Sequence, residues 1–234
     1  MLESVETQGG DPKPLYFQEN QHLFEKYLPK IKHIVVNERL NSDVVDATTS
    51  YWDREDFQRE CITKGLRQCD DLDIIMISNL NQIPRAQTLE TLKLLLYREK
   101  RKPNKLVIKN PPDEIALEMP SFVYQLNRKS ENQEDPWVGT VVTLYNNIRK
   151  KGIQFFRDNR WDFFKIMDAG WCFTSVGNAD QIKQNLFSAA EGKEIDTWIQ
   201  TQEIIPMDSS YPNDLPKYME KHINYFRSIG YTAE

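Results

Sequence analysis

An α/β fold with a mainly parallel sheet flanked by helices is what this sequence predicts, on three observations. Strand-like and helix-like runs interleave from Ile31 onward, with no internal repeat. Asp73 to Ser78 (DIIMIS) is almost continuously apolar over the length of a strand, the pattern of a strand covered on both faces. The chain has 234 residues, 39% hydrophobic and 28% charged, which suits one globular domain, 1–234, with a full core.

The elements follow in order. Residues 1–14 carry Gly9-Gly10 and two prolines and read as an opening loop. Leu15, Phe17, Leu23, Phe24 and Tyr27 suit a helix closed by Pro29, and Ile31–Val36 is a short β-branched strand. Ser50–Cys69 carries the longest helical signal. Ser50 can cap it, acids sit in its first turn, and Trp52, Phe57, Cys61, Ile62 and Leu66 share a face. After the strand Asp73–Ser78 comes a helix over Gln87–Arg98, then strands near Lys105–Lys109, Ile115–Leu126 and Val138–Leu144. Phe163–Thr174 holds another strand, and Ala179–Ala190 and Leu215–Ile229 are amphipathic helices.

Composition excludes several classes. A net charge of −5 disfavours a general nucleic-acid or anionic-membrane surface, and the basic runs at 98–102 and 149–151 read as solvated helix ends. Cys61, Cys69 and Cys172 give neither metal-knuckle spacing nor a disulfide framework. No apolar run reaches the ~20 residues of a membrane span, and the polar start is no signal peptide, so the chain reads as soluble. His22, His33 and His222 are scattered, and there is no phosphate loop or Gly-x-Gly-x-x-Gly.

In an open α/β sheet, ligands bind where loops leave the carboxyl ends of central strands. The loop after Ser78 (Asn79-Leu80-Asn81-Gln82-Ile83-Pro84) stands at such a place. Read alone, it is either the lining of a ligand crevice or a polar cap on the next helix. Arg54, Arg59 and Arg85 can each meet a diphosphate with a guanidinium fork, Arg85 being nearest the loop. Trp137 and Trp171 offer flat apolar faces for sugar stacking, or are core residues.

Several segments in order resemble glycosyltransferase family 17, the β-1,4-mannosyl-glycoprotein 4-β-N-acetylglucosaminyltransferase family. They are residues 13–20 (KPLYFQEN), 30–36 (KIKHIVV), 52–66 (WDREDFQRECITKGL), 71–85 (DLDIIMISNLNQIPR), 136–140 (PWVGT) and 168–175 (DAGWCFTS). The resemblance implies a GT-A-like nucleotide-sugar fold and inverting transfer of N-acetylglucosamine from UDP-GlcNAc to a glycan or glycoprotein acceptor. It implies Mn or Mg held by an Asp-x-Asp motif, and in animals a Golgi membrane location.

The family pattern at this strand is Ser-Asp-x-Asp-Glu-Ile-Pro; here it reads Ser78-Asn79-Leu80-Asn81-Gln82-Ile83-Pro84, each acid replaced by its amide. Ser78, Asn79, Asn81, Gln82 and Arg85 are thus the expected donor-binding residues. Asn79 and Asn81 stand at the metal positions with weakened or lost affinity, because hard cations select charged oxygen ligands. The family's Gly-Trp-His-Phe is Gly170-Trp171-Cys172-Phe173, and the first strand, ahead of Val5-Glu6-Thr7, is expected to be shortened or missing. Inverting transfer needs a carboxylate base, for which Asp168, Glu134 and Asp135 are the candidates. The alternative is a catalytically inactive relative that binds a glycan or nucleotide sugar or serves as a scaffold.

Overall fold

The computed structural model describes residues 1–7, 10–37, 51–96, 112–130, 137–188, 204–206 and 215–232. The strand expected near Lys105–Lys109 and the acids Glu134 and Asp135 lie outside them.

The chain opens with a strand inside the expected loop. β1 (Leu2–Ser4) lies parallel to β2 (Ile34–Val36), with Leu2 opposite Ile34 and Ser4 opposite Val36. Between them the expected helix shrinks to α1 (Tyr16–Glu19) and a 3₁₀ turn over Gln21–Phe24. The cause is local: Asn20 Nδ2 donates to Tyr16 O at 2.8 Å, a side-chain bond that competes with continued helix. The long helical signal becomes α2 (Tyr51–Glu60) and a 3₁₀ segment over Cys61–Gly65. Thr63 Oγ1 bonds back to Glu60 O at 2.7 Å as the helix tightens. Gly65 closes the segment where a Cβ would stand 2.8 Å from Ile34 Cδ1, so a larger residue would have to displace the end of that side chain on β2.

β3 (Ile74–Ile77), a turn, β4 (Gln82–Pro84) and α3 (Ala86–Leu96) come next. β3 is covered on both faces, as its apolar run requires. Ile74 and Met76 pack with Leu92 and Leu96 of α3, while Ile75 and Ile77 pack with Ile148, Ile153 and Phe156.

The stretch 115–126 is two strands, β5 (Glu114–Met119) and β6 (Ser121–Val123), broken at Pro120. Proline has no N–H to give the ladder, and here the chain changes sheets. Beyond β7 (Arg128–Ser130) runs β8 (Trp137–Leu144), then α4 (Tyr145–Lys151) and α5 (Ile153–Asp158). The stretch 163–174 likewise divides into β9 (Phe164–Ile166) and β10 (Gly170–Thr174), turning at Asp168 with φ of 48°. α6 (Ala179–Ser188), β11 (Ile204–Pro206) and the helices Lys217–Lys221 and Ile223–Ser228 complete the described chain.

Among the described residues the sheets are mixed rather than mainly parallel. The four-stranded sheet runs β3-β8-β5-β9, with β8 antiparallel to both neighbours and β9 parallel to β5. The five-stranded sheet runs β11-β7-β6-β10-β4, and only β6 and β10 are parallel. An apolar run reports burial on both faces, not direction: β8, antiparallel throughout, buries Val138 and every residue from Thr140 to Leu144. No helix among the described residues is long and apolar enough to cross a membrane.

Candidate functional site

The turn between β3 and β4 is built on one side chain. Gln82 is 5% exposed, and its Oε1 accepts the Asn79 N–H at 3.1 Å. The hydroxyls of Thr140 and Ser78 reach the same oxygen at 3.1 and 3.3 Å and stand 2.9 Å from each other. Because a backbone N–H must meet an oxygen, this contact fixes the amide's orientation. Gln82 Nε2 therefore turns toward Gly139, where Trp137 Nε1 also arrives; a Cβ on Gly139 would collide with both. Both nitrogens are buried without a hydrogen-bond partner among the described residues.

This turn separates two recesses. One, of about 630 Å³, lies between the β1–β2 pair with α2 and the end of β3, and reaches Ser78, Asn79 and Leu80. Lys30 and Lys32 line it on one side, Glu55, Gln58 and Arg59 on another. Arg59 is 9% exposed and is held by Glu55, by Asp56 at 3.3 Å and by Gln154 Oε1 at 2.8 Å. A gap of about 10 Å³, room for roughly one water, runs inward from Ser78 and Asn79 between Arg59, Gly139 and Arg157. The second recess, about 400 Å³ and largely apolar, lies beyond Leu80 and Asn81 against Phe173, Met219, Phe226 and Tyr231.

Arg157 lines the inner gap, and Arg160 stands beside it over the same indole, Trp137. Their guanidinium carbons lie 5.4 and 5.6 Å from the centre of the Trp137 ring. Arg160 is fixed by Nε donating to Val138 O at 2.8 Å and Nη1 to Arg157 O at 2.5 Å. Burial, then the Arg160 and Arg59 cations, push Arg157 down to about 10, and burial followed by Arg59 pushes Arg160 down also. Both remain cationic at neutral pH.

The other expected residues divide between these sides. Ser78 and Asn79 line the 630 Å³ cleft, and Gln82 stands behind them as the buried hub. Asn81 faces away: its Nδ2 is 3.8 Å from Cys172 Sγ, and its carbonyl accepts the Phe173 N–H at 2.8 Å. Arg85 points to Asp168, donating from Nε to its carbonyl at 2.9 Å and from Nη2 to its Oδ1 at 2.8 Å. The same guanidinium covers the Trp171 ring at 4.1 Å. Trp171 is 8% exposed in a cluster with Phe122, Leu126 and Phe173. Cys172 is buried, and burial pushes its thiol up, away from the thiolate a metal would need. No group of three or more His, Cys, Asp or Glu side chains stands together as a metal site among the described residues.

Lys30, Lys32, Arg157 and Arg160 were not singled out by the sequence reading. The pair Arg157-x-x-Arg160 followed by Trp161 is its only local signal, and proximity to Ser78 arises through the fold.

The model of glycosyltransferase family 17 matches residues 1–205. The chain belongs to glycosyltransferase family 17. It is thus a glycosyltransferase by family, a class that works on a nucleotide sugar and a glycan acceptor. Comparison with curated proteins and with solved structures returns no significant match. In this family-17 chain, the match spans both walls of the 630 Å³ cleft, from Met1 to Leu80.

Proposed function

We propose that this chain binds UDP-GlcNAc in the cleft between β1–β2 and the end of β3 and transfers N-acetylglucosamine to a hydroxyl of a mannose-containing glycan. The observation that carries the reading is a basic cleft at the carboxyl end of β3, rimmed by Ser78 and Asn79, in a chain of this family. In an inverting reaction the acceptor oxygen bonds to the anomeric carbon from the face opposite the departing UDP. The bond from that carbon to the phosphate oxygen breaks, its electron pair leaves with UDP, and the acceptor proton passes to a carboxylate. Asp168 is tied to Arg85, so the base is better sought in Glu134 or Asp135, just before Trp137, with Asp168 the alternative.

A second reading, a catalytically silent binder, is favoured by the amides at Asn79, Asn81 and Gln82 where the family pattern has acids. Incubation with UDP-GlcNAc and a mannose-terminated N-glycan, read by mass spectrometry, separates the two. A product heavier by one N-acetylhexosamine supports transfer. Nucleotide binding without product supports the silent reading, and then Asn79→Asp, Asn81→Asp and Gln82→Glu together restore Mn-dependent turnover if only charge was missing.

A further inference from the structure

The family pattern implies a divalent cation, and the residues present do not fit one. Hard cations gather charged oxygen ligands. Here the Gln82 oxygen is already taken by the Asn79 N–H, Asn81 is turned toward Cys172, and Glu55 and Asp56 are engaged with Arg59. What the site has in surplus is hydrogen-bond donors. Gln82 Nε2 and Trp137 Nε1 are buried and unpartnered. The Arg157 guanidinium, in the same gap as Ser78 and Asn79, makes no hydrogen bond or ion pair among the described residues. Unpaired donors beside Arg157 and Arg160, on which Glu55 and Asp158 act as the nearby acids, suit an anion.

We propose that the diphosphate of a nucleotide donor lies at the Ser78–Asn79 rim of the 630 Å³ cleft and that Arg157, across the one-water gap and supported by Arg59 and Arg160, fills the electrostatic role of a divalent cation. A guanidinium fork matches two phosphate oxygens, and Arg59, which lines both gap and cleft, links the inner cations to the cleft mouth. Arg160 is tied to backbone carbonyls and supplies charge rather than contact. Lys30 and Lys32 face the same cleft. Burial first, and the Arg160 and Arg59 cations second, lower the proton affinity of Arg157, and an arriving anion relieves the repulsion.

This inference rests on the donor reading above, and calorimetry on the full chain tests the two separately. Titration with UDP in EDTA and again with Mn²⁺ is expected to give the same affinity within about two-fold. Arg157→Gln is expected to weaken it about ten-fold or more, as loss of a charge-assisted hydrogen bond does. Arg157→Lys should recover part of the loss, and unchanged thermal unfolding of both variants shows that the fold is intact. Binding that appears only with Mn²⁺, or a folded Arg157→Gln protein that binds as tightly as the parent, overturns the arginine site and leaves the donor reading standing. Arg157-dependent binding of inorganic pyrophosphate without binding of UDP upholds the anion site and sinks the donor reading. If neither anion binds, both fail.

Discussion

The two sides of the β3–β4 turn are made of similar residues in opposite states. On the β10 side, Arg85, Asp168, Trp171, Asn81 and Cys172 satisfy one another: cation on carboxylate, guanidinium on indole, amide near thiol. On the cleft side, Gln82 Nε2 and Trp137 Nε1 meet against Gly139 without an acceptor among the described residues, and Arg157 lines the gap on which Gly139 also borders. Buried polar groups in native proteins are paired, and each exception asks for an explanation. The difference teaches that identity alone does not mark a binding residue. Arg85 is the arginine nearest the turn in sequence, yet its hydrogen bonds go to Asp168; Arg157 is 79 positions after Ser78 in the numbering and faces it.

The largest effect expected from breaking this comparison is on the satisfied side. Trp171→Ala removes a nearly buried indole from the cluster with Phe122, Leu126 and Phe173. It should cost about 3–5 kcal/mol in denaturant unfolding, a large share of the ~5–15 kcal/mol typical of a domain. UDP affinity of the folded fraction should not change. A variant of parental stability that has lost sugar or nucleotide binding would return Trp171 to the stacking role expected from sequence.

Gln82→Ala comes next, because it tests the hub that both sides share. The Asn79 N–H and the Ser78 and Thr140 hydroxyls lose their common acceptor. A loss of about 1–3 kcal/mol in stability is expected, with weaker UDP binding as the Ser78–Asn79 rim loosens. Gln82→Glu supplies a second acceptor oxygen toward Trp137 Nε1 and should keep the turn closed. If Gln82→Ala leaves both stability and affinity untouched, the hydrogen bonds around Gln82 do not hold the rim.

Much of this was legible in the sequence, for identifiable reasons. The apolar run after Asp73 placed β3 to within a residue and its two covered faces correctly, since burial is written in side-chain type. The turn after it was legible as a turn, because the amides and Pro84 end the apolar run; ligand binding there is the proposal. Strand direction was not legible: β8 pairs antiparallel through register that no local pattern encodes. The sheet change at Pro120 was written in the proline, but its partner change at Asp168 depends on β9 and β10 following β5 and β6. The arginine cluster is tertiary altogether: Arg59 comes from α2, and Arg157 at the end of α5 and Arg160 just after it lie over the Trp137 ring.

The smallest effect belongs to the Arg85–Asp168 pair, and it decides most about the comparison. Asp168 is 72% exposed on its side chain, so the 2.8 Å contact is worth no more than about 1 kcal/mol. Asparagine tolerates the left-handed φ of 48° at this position, so Asp168→Asn removes the charge without straining the turn. The Arg85 Nε contact to the Asp168 carbonyl and its stacking on Trp171 survive the change. Stability should fall by about 0.5 kcal/mol or less, and UDP affinity should stay at the parental value. Transfer should also persist if the base is Glu134 or Asp135. A fall in transfer of about 100-fold or more with stability and nucleotide affinity intact is the signature of a lost general base. That result would move catalysis to the satisfied side and make the ion pair with Arg85 a device for aiming Asp168.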